Sequence, residues 1–286
     1  TGGSTIDSQE IVIAIVDVSF EISHDDLKEN FWRNKHEIAL NGIDDDKNGY
    51  IDDYDGWNVY QDTGYISAKT PLGSIDKHGT QIAGIIGGVG NNRRDIAGIN
   101  WSVKMLPVQG SSTEEAVVIK SYNYILEMRK TYNRTNGDSG AFIIAQNSSF
   151  GVDRRFPNQF PIWCDLFDQL GKAGVVSIAA GPNSVVDIDD VGDIPCTCPS
   201  DYLVTVTRSD EQDKLFGGGF GKESIDLAAP GKQIFTTSPI NSTSQAGGSS
   251  FAAPMAAAAL GLMYASYPQR FFSTSADSMA LKSATY

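Results

Sequence analysis

Short apolar runs rich in β-branched residues recur along the chain, separated by stretches of helical character. The runs occupy residues 11–16 (IVIAIV), 103–108, 141–145, 175–180 and 202–206. They are continuous rather than alternating, as expected of strands covered on both faces. Candidate helices fall at residues 79–87, 113–132, 161–173 and, later, 250–267. The third opens on Pro161 and stops before Gly174, with proline where a missing N–H is harmless and glycine where the chain leaves the helix. Such alternation predicts an α/β fold, a mostly parallel sheet with helices on both faces. No internal repeat or low-complexity linker interrupts it, so residues 1–286 are expected to form a single domain. One more surface helix is expected over residues 274–285.

Charge and composition narrow the partners. Against 22 Lys+Arg stand 35 Asp+Glu, a net charge of -13 that repels phosphate backbones and argues against nucleic acid. No apolar run approaches the ~20 residues of a membrane span. The opening Thr1-Gly2-Gly3-Ser4 has no basic and apolar leader pattern and reads as a processed end. Cys164, Cys196 and Cys198 are too few for a disulfide framework, and Cys196-Thr197-Cys198 lacks the two-residue gap of zinc or redox motifs. One bridge plus a free thiol and a set of reduced thiols both remain open.

Ligands of parallel sheets gather beyond the carboxyl ends of the strands. Asp17 stands at that end of the first run. His78 opens His78-Gly79-Thr80, followed by a helix whose Gly79, Ala83 and Gly84 allow close packing and present the imidazole in the cleft. The segment Gly247-Gly248-Ser249-Ser250-Phe251-Ala252-Ala253-Pro254 enters an alanine-rich stretch that specifies a helix buried on all sides, with Pro254 expected in its first turn. A serine there combines an unpaired backbone N–H with the positive end of the helix dipole, the requirements for attack on a carbonyl with an oxyanion to stabilise. Taken alone, Ser249 or Ser250 also fits a helix cap.

Asp17, His78 and Ser250 in this order, each within its own block, resemble the catalytic blocks of the subtilisin-like serine peptidases, the subtilases, of the secreted bacterial type. Residues 13–27 are similar to the family's Asp block, 78–84 to its His block and 248–254 to its Ser block, while 227–231 (LAAPG) resembles another recurrent segment. The resemblance implies a subtilisin-like three-layer fold, with Ser250 as nucleophile, His78 as general base and Asp17 orienting the imidazole. It implies that Ser149, Phe150 and Gly151 form one wall of the substrate groove, with Gly110, Ser111 and Ser112 edging the other. The family's oxyanion Asn follows an Ala-Ala-Gly strand end. Here Ala179-Ala180-Gly181 is followed by Pro182, which has no donor, and Asn183 is the candidate for that role. Gln81 stands where the family usually repeats a His, inside the helix, and little effect on chemistry is expected.

The acidic stretch Asp44-Asp45-Asp46-Lys47-Asn48-Gly49-Tyr50-Ile51-Asp52-Asp53-Tyr54-Asp55 follows the calcium-loop template. Asp44, Asp46, Asn48 and Asp52 fall at ligand positions, Gly49 at the sharp turn, the Tyr50 carbonyl at the seventh place and Asp55 at the twelfth. The flanks do not read as a helix pair, so the expectation is a loop site for structural Ca2+, and secreted subtilases carry comparable insertions at this point. A second site is suggested on family resemblance, from Asp26 with the 91–92 loop. Asp187, Asp189, Asp190 and Asp193 follow Asn183 closely; a solvated loop is the plainer reading, a preference for basic residues in the substrate the sharper one.

The expected function is a calcium-stabilised serine endopeptidase. It would be monomeric and secreted or held at the cell surface or periplasm, cleave polypeptides and be released from its own prosegment. The alternatives are a subtilase-like peptide-binding module with weak or no turnover, kept open by Pro182, and a transpeptidase, which would need a covered, dry site.

Overall fold

A computed structural model of the chain describes residues 2–266, and the helix expected over 274–285 lies outside the described residues. In chain order the strands are β1 (Val12–Asp17), β2 (Trp57–Asn58), β3 (Lys104–Gln109), β4 (Ile143–Ser148), β5 (Val152–Asp153), β6 (Val176–Ala180), β7 (Asp193–Ile194), β8 (Leu203–Ser209), β9 (Leu227–Pro230), β10 (Ile234–Ser238) and β11 (Ser242–Ala246). The helices are α1 (His78–Gly87), α2 (Glu115–Thr135), α3 (Pro161–Ala173), α4 (Ile188–Val191) and α5 (Ser249–Ser266).

A 7-stranded sheet in the order β2-β3-β1-β4-β6-β8-β9 forms the middle layer. Each neighbouring pair in it is parallel. Because β3 lies on one side of β1 and β4 on the other, successive crossovers leave in opposite directions and open a crevice at the carboxyl end of β1. Asp17 is the last residue of that strand.

β1 is buried on both faces, which explains its unbroken apolar run. Ile13 and Ile15 belong to the core shared with Ile82 and Ile86 of α1 and Ala253 and Ala257 of α5. Val12, Ala14 and Val16 belong to the opposite core, with Tyr122 and Ile125 of α2 and Phe167 and Leu170 of α3. Each large aliphatic or aromatic side chain buried this way contributes about 1.5–3 kcal/mol.

Two helix expectations change. Pro254 sits inside α5 rather than in its first turn, since the helix opens at Ser249. Among the described residues α5 is also not buried all round, because Ala259 is exposed. The thiol question is answered: Cys164 of α3 is bridged to Cys198, and Cys196 is a buried free thiol. With a sequence separation of 34, closing that loop is worth about 3–4 kcal/mol in the chain-entropy account. No helix among the described residues is long and apolar enough to cross a membrane.

Candidate active site

Asp17 and His78 meet where β1 ends and α1 begins. Asp17 is 1% exposed, and both of its carboxylate oxygens contact His78 Nδ1, at 3.0 and 2.8 Å. The Val18 backbone N–H fixes Oδ1 at 2.7 Å, and Asp76 holds the His78 backbone N–H at 2.8 Å. Gly79 makes the approach possible, since a Cβ there would stand 2.3 Å from the Ser19 carbonyl oxygen and 2.9 Å from the Asp17 Cβ. With Nδ1–H donated to Asp17, the neutral ring keeps Nε2 as its acceptor. Burial opposes the charged imidazolium, but the Asp17 charge and hydrogen bond, with the Asp76 charge, outweigh it and hold the His78 pKa above the ordinary 6.5.

Ser250 lies in the first turn of α5, where backbone N–H groups have no intrahelical partner. Pro254, four residues on, has no N–H to give the Ser250 carbonyl. That carbonyl instead accepts from Ser149 Oγ at 2.9 Å, and Ser250 Oγ donates to the Ser149 carbonyl at 3.2 Å. The misplaced proline thus ties the serine to the end of β4. Phe251 packs edge-on against the His78 ring, with centroids 5.5 Å apart. Among the described residues no hydrogen bond joins Ser250 Oγ to His78, so proton transfer between them needs the hydroxyl to turn from Ser149 toward Nε2.

Ser249 does not cap its own helix. Its Oγ donates to the Gly181 carbonyl, and its backbone N–H donates to Asn183 Oδ1 at 2.9 Å. The Asn183 amide is thereby anchored by its oxygen, and its –NH₂ is the end left to donate. Asn183 shares a cavity of about 180 Å³ with Ser250, Ser149, Phe150 and Gly151. The expected cleft wall is therefore brought together with the expected nucleophile. At the other expected groove edge the backbone N–H groups of Gly110 and Ser111 both turn inward to the Asp17 carbonyl, at 2.9 and 3.3 Å. They tie the segment after β3 to the end of β1. Gln81 is buried and donates to Ser244 Oγ at 2.8 Å, so it braces α1 against β11. A larger cavity, about 490 Å³, runs between Phe20, Tyr60 and Lys69 without reaching Asp17, His78 or Ser250.

A model of the subtilase family matches residues 8–285. The chain belongs to the subtilase family. Among curated subtilases it is 26% identical over 265 residues to subtilisin-like protease 1 of Plasmodium berghei, covering 85% of this chain and 40% of that protein. It is 25% identical over 271 residues to the halolysin-like extracellular serine protease Nep of Natrialba magadii, covering 92% and 42%. The chain thus spans about two fifths of the length of these relatives. Solved subtilase folds agree: a cold-adapted subtilisin-like serine proteinase matches with a TM-score of 0.64 at 18% identity, over 91% of this chain and 77% of that one. The epidermin leader peptide processing serine protease of Staphylococcus aureus matches with a TM-score of 0.67 at 18% identity, over 96% and 68%.

The acidic loop of this subtilase converges, but not on the template's ligand set. Glu37, Asp46 and Asp53 bring carboxylate oxygens within 4.8 Å of one another. Asp44 accepts from the Asn48 and Gly49 backbone N–H groups, and Asp52 accepts from those of Asn41 and Gly42, so both shape the turn. Asp55 is paired with Arg33 at 2.8 Å. Asn48 donates to Asp46 and Asp53, while the Tyr50 ring packs edge-on against Trp57 and Tyr124. Burial raises the Asp53 pKa to about 7 despite hydrogen bonds from Asn34, Tyr124 and Asn48. Glu37 was invisible to the loop template because it lies upstream of it. Asp26 and Asn92 do meet, at 2.6 Å, and Asp26 also holds the Ile96 backbone N–H, tying down the 92–96 loop.

Proposed function

We propose that this domain is a serine endopeptidase that hydrolyses polypeptides through an acyl-enzyme. The observation that carries the reading is the two-oxygen contact of buried Asp17 with His78 Nδ1 at the sheet's switch point, beside the helix start that bears Ser250. In the first step Ser250 Oγ bonds to the scissile carbonyl carbon as His78 Nε2 takes its proton. The oxyanion lies between the Ser250 backbone N–H and the Asn183 –NH₂. The C–N bond then breaks as His78 returns the proton to the leaving amine. Water repeats the sequence on the ester, releasing the acid and restoring Ser250. Asp17 keeps the imidazole in the required tautomer and stabilises its cation.

Pro182 does not undo the oxyanion role, because Asn183 is steered by Ser249 rather than by its place directly after Gly181. Asn183→Ala is expected to lower kcat about 10²–10³-fold with little change in KM, the loss known for the corresponding donor in subtilisin, a member of this family. The binding-module reading rests on the Ser250 hydroxyl being bonded to Ser149. Incubation with an unfolded polypeptide separates the two: the peptidase yields new amino termini in a reaction stopped by a sulfonyl fluoride, and a folded protein yielding none would overturn the proposal.

The pH dependence has a defined sign. His78 must be neutral to accept the Ser250 proton, so kcat/KM falls as pH drops through its raised pKa. The acid limb, measured from about pH 5 to 9, is expected to have its midpoint above 6.5. A midpoint well below that value would contradict the Asp17–His78 coupling.

Glu37, Asp46 and Asp53, with no cation among their hydrogen-bond partners in the described residues, have the donor chemistry of a Ca2+ site. Bound there, the ion would supply only charge compensation that holds the 37–53 loop. At a thousandfold excess over Kd it stabilises the fold by ~4 kcal/mol, so a chelator should lower the melting midpoint by several degrees, and Asp46→Asn should remove the calcium response. An unchanged midpoint would argue against the ion. The disulfide suits an oxidising, extracellular setting, which the halolysin-like relative shares. A monomer released from its prosegment, with residues 1–286 as one domain, completes the proposal.

A further inference from the structure

The cavity beside Ser250 holds two carboxylates that the chemistry above does not use. Asp153 and Asp193 both line it. They stand directly opposite each other in the antiparallel β5–β7 ribbon, so both side chains leave on the same face, with Cβ atoms about 5 Å apart. Like charges placed this way repel. Among the described residues no lysine or arginine forms an ion pair with either. Arg154 and Arg155, next along the chain, are exposed.

Asp193 is the more telling of the two. It is 2% exposed, and its Oδ1 has no hydrogen-bond partner among the described residues. The thiol and backbone N–H of Cys196 serve the same carboxyl group. Burial, reinforced by the Asp153 charge and only partly offset by Cys196, pushes its pKa up to about 7. A buried carboxylate with an orphan oxygen is costly unless something pairs it. Two other acids of its segment are already engaged: Asp187 caps α4, and Asp189 holds the Glu223 and Ser224 backbone N–H groups. The ribbon itself is held close, because a Cβ on Gly151 would stand 2.3 Å from the Ile194 carbonyl oxygen.

We propose that this cavity receives the side chain on the acyl side of the scissile bond and selects lysine or arginine there, with Asp193 and Asp153 pairing its cation. The inference rests on the peptidase reading, because Ser250 and Asn183 on the same cavity make its occupant the residue next to the attacked carbonyl. Phe150, Ala180 and Pro182 offer apolar wall to a methylene stem, and the carboxylates meet the charged head. A leucine or phenylalanine in the cavity would leave the Asp193 carboxyl without a charged partner.

The test is a set of peptides identical except at that residue, cleaved by the wild-type chain and by Asp193→Asn and Asp153→Asn. A small fluorophosphonate, which has no side chain to place in the cavity, labels Ser250 in parallel and shows that the catalytic centre stands in each variant scored. The expected result is a preference for Lys and Arg over Leu and Phe of about 100-fold or more in kcat/KM. That ratio should collapse at least tenfold in Asp193→Asn and by less in Asp153→Asn. Equal cleavage after Lys, Leu and Phe overturns the inference and leaves the peptidase reading intact. A preference that persists in Asp193→Asn overturns the assignment to that residue. No cleavage of any peptide together with no labelling overturns both readings.

Discussion

Ser250→Ala is expected to lower kcat by about 10⁶-fold with KM nearly unchanged, a loss of the size that subtilisin, in the same family, shows for its own nucleophile. The loss corresponds to about 8 kcal/mol of transition-state stabilisation. It is large because no neighbouring hydroxyl can substitute. Ser249 Oγ is committed to the Gly181 carbonyl, and Ser149 Oγ to the Ser250 carbonyl. What remains should be the contribution of the oxyanion donors and of substrate binding, since both backbone groups survive the substitution. Stability should hardly move: Ser250 is half-buried, and the hydroxyl's bond to Ser149 is worth about 1 kcal/mol at most. A variant keeping more than a hundredth of wild-type kcat would place the nucleophile elsewhere.

Asp17→Asn is expected to cost about 10⁴-fold in kcat, or about 5 kcal/mol. The substitution keeps shape and volume in a site that is 1% exposed, so the β1 end and α1 should stay in place. What changes is the hydrogen bond. An amide can turn its –NH₂ toward His78 Nδ1, favouring the tautomer that carries the proton on Nε2 and so cannot accept one from Ser250. Loss of the negative charge also removes the main influence holding the His78 pKa up, so the residual activity should show its acid limb at lower pH. A loss below tenfold, or an unmoved limb, would mean that Asp17 only packs against the imidazole.

The sheet and the meeting of Asp17 with His78 were legible in the sequence for a physical reason. A strand covered on both faces has no polar positions, so 11–16 announces a central strand, and the polar residue that ends it stands at its carboxyl end, where the sheet opens into a crevice. His78 and Ser250 were framed by glycines and alanines that only close helix packing requires. Less visible were β2, which has only Trp57 and Asn58, and β11 (STSQA), whose polar, partly exposed residues carry no apolar signal. The calcium template does not include Glu37 because it assumes a contiguous loop between helices. Here the third carboxylate arrives from a preceding segment, and Arg33 claims Asp55. The inward turn of the Gly110 and Ser111 backbone N–H groups toward Asp17 was not legible either, because which way a backbone N–H points after a strand is set by the neighbouring strand, not by residue type.

The acidity has separable origins. In the 44–55 loop it shapes turns and gathers Asp46 and Asp53 with upstream Glu37, while in the 187–193 segment only Asp193 reaches the cavity beside Ser250. A net charge of -13 is therefore built partly from groups with local assignments rather than from a uniformly acidic surface.

The central claim is that Ser250 is a nucleophile activated by His78 and Asp17. It is tested most directly by treating the folded chain with a fluorophosphonate and mapping the adduct by peptide mass spectrometry. One equivalent of label on Ser250, formed far more slowly in Asp17→Asn and absent in Ser250→Ala, is the result expected. Folded wild-type protein that takes up no label, or takes it up on another residue, would contradict the account.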